Sequence, residues 1–151
     1  MLQANRIIFV QNYECMIQRL QTLWFLLAAA CAFAGFKFSF YSGTNAKGLS
    51  PYELMGTENI LLLLTTLAVG GLALIAIFLF KNRSLQFQLS LLAILLEALL
   101  IFLYYREVQN FKAGTYSLTA ILHPLIIFSF FMAAKGIRKD SKIIKESDRL
   151  R

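Results

Sequence analysis

Residues 59–105 read NILLLLTTLAVGGLALIAIFLFKNRSLQFQLSLLAILLEALLIFLYY, two long apolar runs separated by a short basic break. The first run, Asn59 to Phe80, holds 22 residues and reaches ~33 Å as a helix, enough for a hydrocarbon core of ~30 Å. Lys81, Asn82 and Arg83 end it, and the second run, Gln86 to Tyr105, begins so soon afterwards that the two helices must turn back on each other. An antiparallel helical hairpin in lipid is therefore the nucleus of the predicted fold, because helices satisfy their own backbone groups where no water is present.

Two further apolar segments flank this hairpin. LQTLWFLLAAACAFAGF runs from Leu20 to Phe36 between Arg19 and Lys37, and SLTAILHPLIIFSFFMAAK runs from Ser117 to Lys135 with His123 and Pro124 inside it. The expected fold is an all-α membrane protein, a four-transmembrane-helix antiparallel bundle with helices at about 18–38, 59–80, 86–105 and 117–135. Residues 16–136 form the transmembrane domain, 1–15 an amino-terminal extension and 137–151 a basic tail.

Composition agrees: 58% of the 151 residues are hydrophobic and 15% charged, against roughly 45–50% and about 25% in soluble domains. Little chain remains for a soluble domain. Cys15 and Cys31 are the only cysteines, too few for a disulfide framework or a zinc site.

The net charge of +7 reads first as topology. With alternating spans, one side holds Arg6, Arg19, Lys81, Arg83, Lys135, Arg138, Lys139, Lys142, Lys145, Arg149 and Arg151, eleven cations. The other holds four, Lys37, Lys47, Arg106 and Lys112. The positive-inside rule places both termini in the cytoplasm. In the outer loop Phe36, Phe38 and Phe40 alternate with Lys37, Ser39 and Tyr41, a period-two pattern that predicts a short strand, with Arg106 to Tyr116 as its pairing partner.

Ala32-Phe33-Ala34 before Gly35 also fits a signal-peptide cleavage site. The competing and preferred reading is a packing face, since Ala28, Ala32 and Gly35 recur at helical spacing and small residues let helices approach closely in lipid. Gly70 and Gly71 with Ala68, Ala73 and Ala76 narrow the second helix in the same way.

Met16-Ile17-Gln18-Arg19-Leu20-Gln21, Phe80-Lys81-Asn82-Arg83-Ser84-Leu85-Gln86, Ile137-Arg138-Lys139-Asp140 and Ser147-Asp148-Arg149-Leu150-Arg151 bracket the apolar runs. On these motifs and their order, the chain from Met16 onward resembles a family of small four-helix membrane proteins from Bacteroidota, domain of unknown function 4293. The resemblance implies a cytoplasmic-membrane protein with no established substrate, cofactor or catalytic residue. The chain departs from the family by the fifteen residues Met1 to Cys15, which leads to the expectation that Met16 is the true start.

Glu97 is the charge inside the third helix, where insertion costs on the order of 2.5–3.5 kcal/mol. The surrounding leucines offset this, so insertion stands and only the direction of the side chain is at issue. Counting helical rise from the outer ends places Glu97 at ~12 Å depth and His123 at ~9 Å, with Thr65 and Thr66 at a similar level. These four residues are the candidate intramembrane polar layer. Three roles compete for it: structural glue between helices, proton or ion handling, and ligand contact or catalysis. Pro124 lacks a backbone donor and predicts a kink in the fourth helix, a feature neighbouring helices routinely absorb.

The basic residues Lys81, Arg83, Arg138, Lys139, Lys142, Lys145, Arg149 and Arg151 form the candidate cytoplasmic surface or lipid contact. Ile137 with Ile144 and Ile143 with Leu150 recur seven apart, the pattern of a helix lying on an anionic leaflet; topology bias alone explains the charge equally. The tail has no aromatic residue to stack on bases, which argues against nucleic acid as a partner. His123 is the sole histidine, so no triad or metal site is expected, and no cofactor or small-molecule ligand is identifiable. The preferred function is a structural or accessory subunit in the bacterial inner membrane, with the bilayer and a larger membrane complex as partners. A proton- or ion-handling element using Glu97 and His123 is the alternative, and a membrane enzyme acting on lipid comes third.

Overall fold

The computed structural model describes residues 20–45, 52–80 and 82–149, with side chains as far as residue 142. The expected start at Met16, the leader before it, the hairpin tip Lys81, the side chains of Lys145 and Arg149, and Arg151 lie outside the described residues.

Helix α1 covers Leu20–Ala34. It ends short of the expected 38 because the chain tightens there: Phe36 N–H donates to Phe33 and Lys37 N–H to Ala34, at 3.2 and 3.0 Å, the three-residue spacing that closes a helix. Strands β1 (Tyr41–Asn45) and β2 (Tyr52–Leu54) follow, then α2 (Ile60–Phe78), α3 (Arg83–Val108), β3 (Phe111–Tyr116), a 3-10 turn at Leu118–Ile121, and α4 (Leu122–Arg149). Asn59 accepts a hydrogen bond from the N–H of Leu61 at 3.3 Å, capping an orphan donor at the start of α2. Three helices, Ile60–Phe78, Arg83–Val108 and Leu118–Lys142, are long and apolar enough to cross a membrane.

The buried faces explain how the helices pack. Along α3 they are Gln86, Ser90, Ala93, Glu97, Leu100 and Tyr104; along α4 they include His123, Ile126, Phe130, Ala133, Ile137 and Asp140. Steps of alternately three and four residues keep a helix seam facing one partner. All four helices feed one cluster, with Phe25, Ala28 and Ala32 from α1, Val69 and Ala73 from α2, Ala93 from α3, and Ile126 and Phe130 from α4. Gly70 belongs to the same logic, since a Cβ there would stand 3.0 Å from the Phe33 ring. The opposite faces carry exposed Leu64, Phe78, Leu95, Phe102, Phe128 and Phe131, a greasy exterior that lipid matches and water does not.

A three-stranded antiparallel sheet of order β2-β1-β3 closes one end. Tyr41 faces Leu54 on one side and Tyr116 on the other, and Gly43 faces Gly114. A Cβ on Gly43 would fall on the Ala113 carbonyl, so this crossing needs glycine. The strand predicted over 36–41 begins instead at Tyr41. Residues before it are occupied by the turn that ends α1, with Phe40 joining the ladder through its N–H to the Leu54 carbonyl at 2.7 Å.

Two expectations for the fourth segment change. Pro124 is the third residue of α4, in the first turn, where N–H groups have no helical partner to lose; it starts the helix and does not kink its middle. The basic tail is not a separate segment either, because α4 continues without a break from Leu122 to Arg149. Ile137, expected on a lipid-facing stripe, is 1% exposed within the core.

Candidate functional site

The seams of α3 and α4 each carry a polar residue near the sheet end, and the two meet. His123 Nδ1 lies 2.7 Å from Glu97 Oε1; Glu97 is 0% and His123 6% exposed. The histidine ring packs edge-on against Phe40 at 5.3 Å and tilted against Tyr104 at 5.0 Å between centroids. Phe40 and Tyr104 themselves stack at 4.4 Å. The loop before β1 thus supplies the lid, α3 the acid and α4 the base.

One hydrogen bond accounts for Oε1, whereas Glu97 Oε2 is buried without a hydrogen-bond partner among the described residues. A proton moving along the Oε1–Nδ1 line interconverts carboxylic acid plus imidazole with carboxylate plus imidazolium, leaving the net charge unchanged. Such a pair avoids burying an isolated charge, which is far costlier than burying a neutral or paired one.

The threonines do not join it. Thr66 is buried but donates to the Leu62 carbonyl at 2.7 Å, and Thr65 donates to the Leu61 and Leu62 carbonyls at 2.8 and 3.1 Å. Back-bonding of this kind is the usual outlet for a hydroxyl within a helix. The polar layer is therefore a pair and not a quartet.

A second polar centre, at the end of the molecule where α2 meets α3, was not anticipated from sequence. Asp140 is 2% exposed, accepts from Gln21 Nε2 at 3.2 Å and is ion-paired with Arg83 Nη1 at 2.9 Å. Gly136, one turn before Asp140, makes room: a Cβ there would sit 3.0 Å from Gln21 Cγ. Nearby, Gln86 Nε2 donates to the Ala76 carbonyl at 2.9 Å and Ser90 Oγ to the Gln86 carbonyl at 2.8 Å, tying α3 to α2. Asp140 had a readable signal, since it extends the seam spacing beyond Lys135.

Of the basic surface, Arg83 enters this centre, Arg138 lies 4.6 Å above the Phe87 ring, and Lys139 and Lys142 are exposed. At the sheet end a polar cleft of about 340 Å³ includes Asn59, Arg106, Glu107 and Asn110, where Glu107 accepts from Asn59 Nδ2 at 2.8 Å and Asn110 Nδ2 at 3.2 Å. Tyr52 donates to Glu58 at 2.5 Å. That bond, with partial burial and the Glu58 and Glu107 charges, raises the phenol's pKa above its ordinary value. Among the described residues no three His, Cys, Asp or Glu side chains cluster as metal ligands.

Fold and site together define the class: a mostly helical protein with helices long and apolar enough to cross a membrane, closed at one end by a small sheet. Within that class the chain belongs to the family described as Domain of unknown function (DUF4293), whose model matches residues 17–150. No curated protein and no solved structure matches the chain.

Proposed function

We propose that the protein is a small accessory or structural subunit of a bacterial inner membrane, in the Bacteroidota, spanning it four times with both termini cytoplasmic. The observation that carries this reading is the division of the interior. Two buried polar centres, Glu97–His123 and Gln21–Asp140–Arg83, bond within the chain, and the stretch between them is lined by Phe25, Val69, Ala73, Ala93 and Phe130, its buried Ser90 and Ser129 hydroxyls donating to the Gln86 and Leu125 carbonyls of their own helices. Among the described residues a waist whose hydroxyls are spent on their own helices presents no file of ligands to ions and instead holds helices in register. The eleven-to-four lysine and arginine bias supports the orientation.

Gentle detergent extraction of the native protein followed by mass spectrometry of its associates tests the role. A reproducible larger membrane complex is expected; a protein recovered alone from every detergent would remove the reading. Accessibility labelling of a cysteine placed after Arg151 tests the orientation, with protection from outside expected.

The unpartnered Glu97 Oε2 specifically favours a second reading, proton handling at the same pair. It expects the carboxyl infrared band removed by Glu97→Gln to change with external pH in vesicles. The structural reading expects a band that does not respond.

A further inference from the structure

Two cavities lie side by side between the start of α3 and the middle of α4, and they differ in chemistry. One, of about 500 Å³, is lined by Arg83, Arg138 and Lys142 together with Ser84 and Ser141, with no acidic residue on its wall among the described residues. The other, of about 330 Å³, is lined by Leu91, Ile94, Phe131 and Ala134, with Lys135 at its margin. Phe87 and Arg138 line both, and the Arg138 guanidinium lies over the Phe87 ring, so the cavities form one groove with a basic head and an apolar trough.

We infer that this groove binds one anionic phospholipid, its phosphate held at Arg83 and Arg138 and an acyl chain lying along Leu91, Ile94 and Phe131. Charge and polarity divide the groove as they divide a phospholipid. The first turn of α3, whose Arg83 and Ser84 line the basic head, holds no acidic residue and no side-chain cap among the described residues, and the positive dipole end of a helix favours an anion. Arg83 is anchored beside it, its Nη1 2.9 Å from Asp140 Oδ2 and its side chain still 21% exposed. A guanidinium carries five N–H donors, so a carboxylate on one nitrogen leaves others for a phosphate. Leu91 and Phe131, 44% and 57% exposed, open the trough to the surrounding medium, the side from which a lipid enters. This inference concerns a surface separate from the Glu97–His123 pair and holds under either reading of that pair.

Native mass spectrometry of the full chain in detergent, supplied with phosphatidylglycerol or phosphatidylethanolamine of the same acyl chains, tests it. One phosphatidylglycerol is expected to be retained at least ~5-fold more strongly than the zwitterionic lipid, the scale of a single cation near an anionic surface. Arg138→Gln lowers that preference by about the same factor. Leu91→Trp blocks the trough and cuts retention of both lipids. Both substitutions are at exposed positions, and unchanged melting curves verify folding. Equal retention of the two lipids, retention unaffected by both substitutions, or displacement by glycerol 3-phosphate at equal concentration overturns the inference, the last by assigning the head to a soluble phosphate.

Discussion

The sheet-end pair and the hairpin-end triad terminate the same α3–α4 seam by opposite means. Glu97 and His123 meet as two groups sealed beneath Phe40 and Tyr104, whereas Asp140 is shared between Gln21 and an Arg83 side chain that remains 21% exposed. Asp140 lies seventeen positions after His123 along α4, ~26 Å along a helix, close to the thickness of a hydrocarbon core. A buried acid is thus tolerated in two ways: where aromatic rings seal it, by a hydrogen-bonded imidazole, and where the surface is nearer, by a fixed cation with access to water.

The contrast is broken most directly at the pair. His123→Ala leaves the Glu97 carboxyl buried beside a void, with a stability loss of about 3–5 kcal/mol expected for an orphaned member of a buried pair. Glu97→Gln, which keeps a hydrogen-bonding side chain there, costs about 1 kcal/mol. Reversible denaturation in mixed micelles measures both, and equal losses would show that the imidazole does no more for the buried acid than the acid does for it. Asp140→Asn comes next, at about 1–3 kcal/mol, because the bond from Gln21 survives and Arg83 retains contact with solvent. Its cost should shrink with added salt, while that of His123→Ala should not.

Gly136→Val sharpens the comparison further. It drives a side chain into Gln21 Cγ and should cost about 1–3 kcal/mol by overpacking; combined with Gln21→Ala it should cost less than the two singly. Strict additivity in that double-mutant cycle would deny that the glycine serves the glutamine. The smallest effect lies outside both centres. Tyr52 has a raised pKa in the folded protein, so its bond to Glu58 contributes fully below the unfolded phenol value of ~10 and fades as pH rises through the folded value. Tyr52→Phe should erase that alkaline dependence, read by the difference in phenolate absorbance.

Much of this arrangement was legible from residue type and helical rise. The apolar runs marked the helices, and depth counting put Glu97 and His123 at similar levels, where they lie 2.7 Å apart. The threonines misled because polarity alone does not say where a hydroxyl finds its acceptor, and the nearest acceptor is its own helix. Pro124 misled because the helix start is hidden: a proline marks a kink or a beginning depending on where the preceding turn changes pitch. Asp140 stood among so many charges that it read as one more solvated residue, although Ile126, Phe130, Ala133 and Ile137 lead straight to it. The sheet register was unreadable because Gly43 meets Gly114, a crossing with no side chains to announce it.

That sheet also orders events in time. Its central strand pairs Tyr41 with Tyr116, residues 75 positions apart, so a growing chain cannot complete the ladder until α2 and α3 have been synthesised. Until then β1 has only the three-residue β2 beside it and an unsatisfied edge on its other flank. Closure of the last ladder thereby reports that the intervening hairpin is in place, and a chain truncated at Val108 would keep a sticky edge for quality-control proteases to find.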